Sequence, residues 1–113
     1  MKKANIIKKN DDFSRILHEA NPIRGRYYDL YLEKVNSNSY HFGFSTGKKV
    51  GNAVTRNKIR RQTKSITDKR EYINGFNCII MVKKRIIDAS YLEMQEDLLN
   101  SIDKLNIIKV KKI

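Results

Sequence analysis

The residues best suited to act on another molecule lie in one run. Residues 51–64 read GNAVTRNKIRRQTK, with Arg56, Lys58, Arg60, Arg61 and Lys64 as five cations and no acid. Side chains of this type in this density bind anions. Three of the five are Arg, whose planar fork matches two phosphate oxygens at once. Asn57 adds an amide able to donate to a phosphate or read a base edge. Lys48 and Lys49 stand just upstream, and from Val35 to Thr67 there is no Asp or Glu at all. Like charges at i, i+4 on a helix repel by a few tenths of a kcal/mol per pair. A helix face built only for solvation alternates its signs. The unrelieved charge therefore points to counter-charges on another molecule.

Composition agrees. The chain has 113 residues, with 24 Lys plus Arg against 12 Asp plus Glu, a net charge of +12. That excess implies a polyanionic partner. A coding bias toward Lys, Ile and Asn would scatter the charge, whereas here it clusters. One cysteine, Cys78, leaves no pair for an intramolecular disulfide, and its apolar setting FNCIIMV suits an inert core thiol. With His18 and His41 as the only histidines, no zinc cluster is expected. The start MKKANIIKK lacks the apolar stretch of a secretory signal, and no run is long enough to span a bilayer, so a cytoplasmic protein without membrane contact is expected. No Ser-His-Asp context, P-loop or dinucleotide fingerprint is present, and acids are too sparse in the basic half for a two-metal carboxylate site. Binding is expected, with no catalytic residue and no metal ligand on the chain.

The elements that must position these cations follow from periodicity. NDDFSRILHEA, residues 10–20, reads as a helix with Asn10 as its cap and Phe13, Ile16, Leu17 and Ala20 on one face. That face makes Phe13 a core residue on spacing alone. RYYDLYLEK (26–34) and YHFGFST (40–46) alternate as strands around the turn NSNS, which predicts an antiparallel hairpin. In the first strand Tyr28, Leu30 and Leu32 share one face; Tyr27, Asp29, Tyr31 and Glu33 share the other. If the leucine face is the core, Tyr27 and Tyr31 line a groove where aromatic rings can stack on unpaired bases. If both faces are covered, they are buried.

The basic run forms a helix from about Ala53 to Ile66, capped by Asn52. On a wheel with Arg56 at zero, Arg60, Lys64, Asn57 and Arg61 fall at about 40°, 80°, 100° and 140°, with Ile59, Thr63, Ile66 and Thr55 on the other side. Asn74-Gly75 marks a turn, and FNCIIMV (76–82) predicts a strand buried on both faces. SYLE, with Ser90 and Glu93, forms a capping box for a final helix bearing Tyr91, Met94, Leu98, Ile102 and Leu105. The tail IIKVKKI has no assignment. The expectation is one domain over residues 1–113. It is α+β, a small sheet with helices packed mainly on one face, in the order α-β-β-(β)-α-β-α.

The run FGFSTGKKVGNAVTRNKIRR, residues 42–61, resembles the strand, loop and helix of the bacterial ribonuclease P protein subunit. The matching residues are Gly43, Ser45, Lys48, Lys49, Gly51, Asn52, Ala53, Val54, Arg56, Asn57, Arg60 and Arg61. KKNDDFSRI and RYYDLY extend the likeness, while the C-terminal third matches only in pattern. The resemblance implies a fold like the second domain of ribosomal protein S5, with a left-handed strand-helix-strand crossover through the basic helix. It implies a large catalytic RNA as partner and precursor tRNA as substrate, removal of the 5′ leader, and Mg²⁺ held mainly by the RNA. No obligate protein partner is implied.

By position, Lys48, Lys49, Asn52, Arg56, Asn57, Lys58, Arg60, Arg61 and Lys64 would face RNA. Phe13, Tyr28, Tyr31 and Ser45 would line or adjoin a leader cleft between the sheet and the first helix. Three positions depart from the family pattern: Lys58 for a frequent Arg, Leu17 for a frequent second aromatic, and Gly47 for a small hydroxyl residue. The alternative is an RNA-binding protein without any enzyme, such as a ribosomal protein.

Overall fold

A computed structural model describes residues 1–110. The last three residues of the tail, 111–113, lie outside the described part. The α-helices and strands of the described residues are, in chain order, α1 (Asn10–Glu19), β1 (Ile23–Arg24), β2 (Tyr28–Lys34), β3 (Tyr40–Ser45), α2 (Ala53–Thr67), β4 (Phe76–Val82) and α3 (Tyr91–Asp103). The short β1 is the additional strand left open by the sequence. The four strands form one mixed sheet in the order β1-β2-β4-β3.

That order overturns the hairpin. β2 and β3 do not pair; β4 lies between them, antiparallel to β2 and parallel to β3. The reason is in β4 itself. A strand apolar on both faces is best buried at the centre of a sheet, while the alternating β2 and β3 tolerate flanking positions. Phe76, Cys78, Ile80 and Val82 face one side and Ile79 the other, all buried. Gly75 wedges the turn open: Val35 N donates to Gly75 O at 2.9 Å, and Gly75 N donates to Ser39 O at 3.0 Å. β3, α2 and β4 thus form a crossover unit that carries the basic helix.

The main core lies between the sheet and the pair α2 and α3. Tyr28, Leu30, Phe42, Phe76, Cys78 and Ile80 meet Ile59, Ile66, Met94, Leu98 and Ile102 there. Cys78 is an enclosed core thiol, and burial pushes its pKa up. At one end the rings of Phe42 and Tyr72 pack edge to face, 4.8 Å between centroids. Asn52 caps α2, its Oδ1 accepting from Thr55 N at 2.9 Å. The residue before it, Gly51, has φ +151°, a region that side chains avoid. Ser90 and Glu93 form the capping box of α3 in both directions. Asp97 of α3 fixes the entry to β2, accepting from the backbone N–H of Arg26 and of Tyr27 at 2.8 Å each.

α1 packs alone on the opposite face, over β2 and β4. Its start differs from the expected one. Asn10 is already helical, Lys9 holds the cap position, and no side chain caps the end. The segment before it adds to the free edge of β3: Ile7 N donates to Phe42 O at 2.8 Å and Asn5 Nδ2 to Tyr40 O at 2.7 Å. The tail runs beside residues 71–73, with Ile107 buried.

Candidate nucleic-acid interface

The open face of the sheet is organised in three cross-strand rows, set by the register. Glu33, Asn77 and His41 lie side by side; then Tyr31, Ile79 and Gly43; then Asp29, Met81 and Ser45. α1 covers the first two rows. Ile16 is fully buried, and Phe13 rests on Gly43 so closely that a Cβ there would stand 2.6 Å from its Cζ. The third row is left beside a shallow groove of about 420 Å³ that reaches Ser45, Lys48, Lys49, Met81 and Lys84. Phe13, resting on Gly43, and half-buried Tyr31 belong to the neighbouring second row, while Met81 and Ser45 are in the lining of the groove.

The basic helix begins at the end of β3, where the turn Lys48–Val50 leads into Gly51 and Asn52. Its inward side is as the wheel requires: Ile59, Thr63, Ile66 and Thr67 are buried. Asn57, Lys58 and Arg61 are exposed, and Arg56, Arg60 and Lys64 are half-buried. Among the described residues, none of these cations, nor Lys48 or Lys49, enters an ion pair. Arg60 Nη1 donates to Asn57 Oδ1 at 3.1 Å, which orders both on the outer surface. Lys64 Nζ lies 5.7 Å from the ring centre of Phe44, so the arc follows the edge of β3. Arg56 Nε is enclosed without a hydrogen-bond partner among the described residues. The N-terminal end of α2 carries a partial positive charge of its own, which adds to the field.

Not every expected site residue falls here. Tyr28 is fully buried on the core face, its hydroxyl 2.9 Å from Thr63 Oγ1 of α2. This corrects its expected place by the cleft. Strand alternation puts Tyr28 with Leu30 and Leu32, and that face is the one α2 covers. Burial pushes its phenol up to about 12. Tyr28→Phe is expected to lower stability by about 1–2 kcal/mol, because Thr63 loses its partner. RNA affinity should not change; thermal melting beside a binding titration checks both. Tyr27 is also buried, its hydroxyl donating to Glu93 Oε2 at 3.2 Å. Asn52 spends its carbonyl oxygen on the helix cap, leaving only its amide nitrogen for a ligand.

The sequence reading missed Met81, Lys84 and the cluster around Asp29. Asp29 is a buried carboxylate flanked by Arg24 Nη1 at 3.1 Å and Lys83 Nζ at 3.0 Å. Lys83 also donates to Gly25 O at 2.6 Å. The available signal was parity: Met81 shares that of Asn77 and Ile79, but only the central place of β4 turns parity into a groove floor. The carboxylates of this face, Asp29 and Glu33, are each taken up by cations, so the residues here do not fit a Mg²⁺ shell. Among the described residues no group of three or more His, Cys, Asp or Glu could hold a metal ion. No helix among them is long and apolar enough to cross a membrane.

Glu33 ties α1 to the sheet through the fork of Arg15, with Nη2–Oε1 at 2.8 Å and Nε–Oε2 at 3.1 Å. These bonds hold the Glu33 carboxyl below its ordinary value of 4.5. A lowered folded pKa contributes stability at higher pH that is lost as the pH falls through it. Acid titration should therefore loosen α1 before the core; α1 amide signals in NMR should shift below about pH 4.5 while those of β4 hold.

A basic helix with no internal counter-charge, set beside an open groove, defines a nucleic-acid-binding module. The comparisons with known proteins are specific. The family model Ribonuclease P matches residues 1–106. The ribonuclease P protein component of Bacillus cereus strain AH187 is 32% identical over 115 residues, covering 99% of this chain and all of that protein; that of Bacillus mycoides is equally similar. The ribonuclease P protein structure from Staphylococcus aureus superposes with TM-score 0.82 at 29% identity, covering 95% of this chain and 100% of the other. The Thermotoga maritima structure, at 21% identity and TM-score 0.77 over 87% of this chain and 94% of the other, shares the fold. This chain belongs to the ribonuclease P protein family. Such a component is part of a ribonucleoprotein that cleaves tRNA precursors, its partner is an RNA subunit, and the RNA carries catalysis. The ribosomal-protein alternative is not favoured.

Proposed function

We propose that this chain holds the single-stranded 5′ leader of precursor tRNA in the channel between α1 and the third row of the sheet. Phe13 walls the channel, Tyr31 and Met81 offer surfaces for bases, and Ser45 a hydroxyl for the backbone. Lys48, Lys49, Arg56, Asn57, Lys58, Arg60, Arg61 and Lys64 face phosphates of the catalytic RNA and of the substrate near the cleavage site, with the amide nitrogen of Asn52 at their edge. Mg²⁺ belongs to the RNA, and the assembly works in the cytoplasm as a single RNA-binding domain on its RNA partner.

The observation that carries this reading is the continuity of two features. An arc of cations that enter no ion pair among the described residues runs into an open groove lined by Ser45, Lys48, Lys49, Met81 and Lys84. Electrostatics alone would hold any RNA; a groove that also offers aromatic and apolar surfaces favours an unpaired strand. The test is leader dependence. With the catalytic RNA present, the chain should tighten binding of a leader-bearing precursor and leave mature tRNA nearly unaffected. Equal tightening of both would remove the channel from the account.

A further inference from the structure

The row of the sheet farthest from the groove is a connected polar chain. Arg15 of α1 donates twice to Glu33 of β2. Asn77 Nδ2 of β4 donates to Glu33 Oε1 at 3.0 Å, and Asn77 Oδ1 lies 3.1 Å from His41 Nδ1 of β3. A carboxylate only accepts, so the amide must turn its nitrogen to Glu33 and its oxygen to His41. His41 then carries its proton on Nδ1, and Nε2 is free to accept from Ser39 Oγ at 3.4 Å. The donors of Ser39, His41 and Asn77 all point toward Glu33, and Arg15 donates a third time, from Nη1 to Asp12 Oδ1 of α1 at 2.9 Å.

Without this chain α1 is held thinly. Ile16 is its one fully buried residue, and no side chain caps its start. Phe13 touches the sheet at Gly43. Glu33 is two residues along β2 from Tyr31, about 6–7 Å away. Arg15 is two residues from Phe13 on α1. A shift at the first pair therefore moves the wall against the inner side of the channel.

We propose that Glu33 is a positioning residue for the leader: through Arg15 and Asn77 it fixes α1 against the sheet and so sets the width of the channel between Phe13 and the Asp29–Met81–Ser45 row. The inference rests on the leader-channel reading above. A displacement of about 1 Å in a positioning element costs up to roughly 10²-fold. Partial loosening by Glu33→Gln or by Arg15→Gln should accordingly weaken the binding of leader-bearing precursor to the reconstituted holoenzyme about tenfold. Affinity for mature tRNA and assembly with the catalytic RNA should stay within about twofold, because α2 is untouched. Arg15 is partly exposed, so its variant tests the idea even where Glu33→Gln folds poorly. The exchanged pair Arg15→Glu/Glu33→Arg should recover most of the loss, since the Asn77 amide can turn over to meet the exchanged guanidinium.

An equal loss for precursor and mature tRNA, or a lowered melting temperature with unchanged preference, would make the tie structural only and overturn the inference. If the unaltered holoenzyme itself shows no preference for precursor, the channel reading fails, and the inference with it.

Discussion

Replacing Arg56, Arg60 and Arg61 together by alanine should cut affinity for the catalytic RNA by about 10²–10³-fold, at about 1–1.5 kcal/mol for each lost phosphate contact. The same variant should flatten the dependence of log affinity on log salt by about 2–3, because each lost contact removes roughly 0.7–0.9 from the slope. The fold should survive. None of the three side chains is in an ion pair among the described residues, and the inward face of α2 rests on Ile59, Thr63 and Ile66. Arg56 and Arg60 stand at i, i+4, so their removal relieves repulsion of a few tenths of a kcal/mol. A melting temperature equal to or above the starting value is therefore expected. An unchanged salt slope with a lowered melting temperature would make these arginines structural and remove the central observation.

The second large effect is expected at Gly43. The Cβ of any other residue would stand 2.6 Å from Phe13 Cζ and 3.0 Å from its Cε1, inside contact distance. β3 is fixed by its pairing with β4, so the Phe13 ring must give way. Gly43→Val should lower stability by about 1–3 kcal/mol, the usual cost of overpacking. It should weaken binding of leader-bearing precursor by as much as about 10²-fold, since the channel wall is displaced. Binding of the catalytic RNA through α2 should persist. Adding Phe13→Ala separates the two consequences: the melting temperature recovers because the clash is gone, while leader affinity stays low because the wall is gone. Recovery of both would place Phe13 outside the channel.

The basic helix was fully legible. Its cap at Asn52 follows from residue type and its inward Ile59, Thr63 and Ile66 from one periodicity; the structure keeps them, with Lys58 and Arg61 exposed and Arg56, Arg60 and Lys64 half-buried. β4 was legible as a strand and as buried on both faces, but its partners were not. Pairing is a long-range choice, and the turn between β2 and β3 carries ordinary hairpin chemistry until Gly75 wedges into it. The misplaced Tyr28 shows the limit of carrying a position over from a family. Alternation alone had grouped it with Leu30 and Leu32, and that local signal decides its burial. Met81 and the Glu33–Asn77–His41 row were not legible, because each depends on which strand stands beside which.

The most direct measurement is reconstitution at low Mg²⁺ of this chain with a bacterial ribonuclease P RNA, comparing a precursor tRNA that carries a leader with one cut back to a single leader nucleotide. The account predicts that the chain raises cleavage and affinity for the long-leader precursor well above those for the short one. Equal enhancement of both, or no enhancement of either, would contradict it.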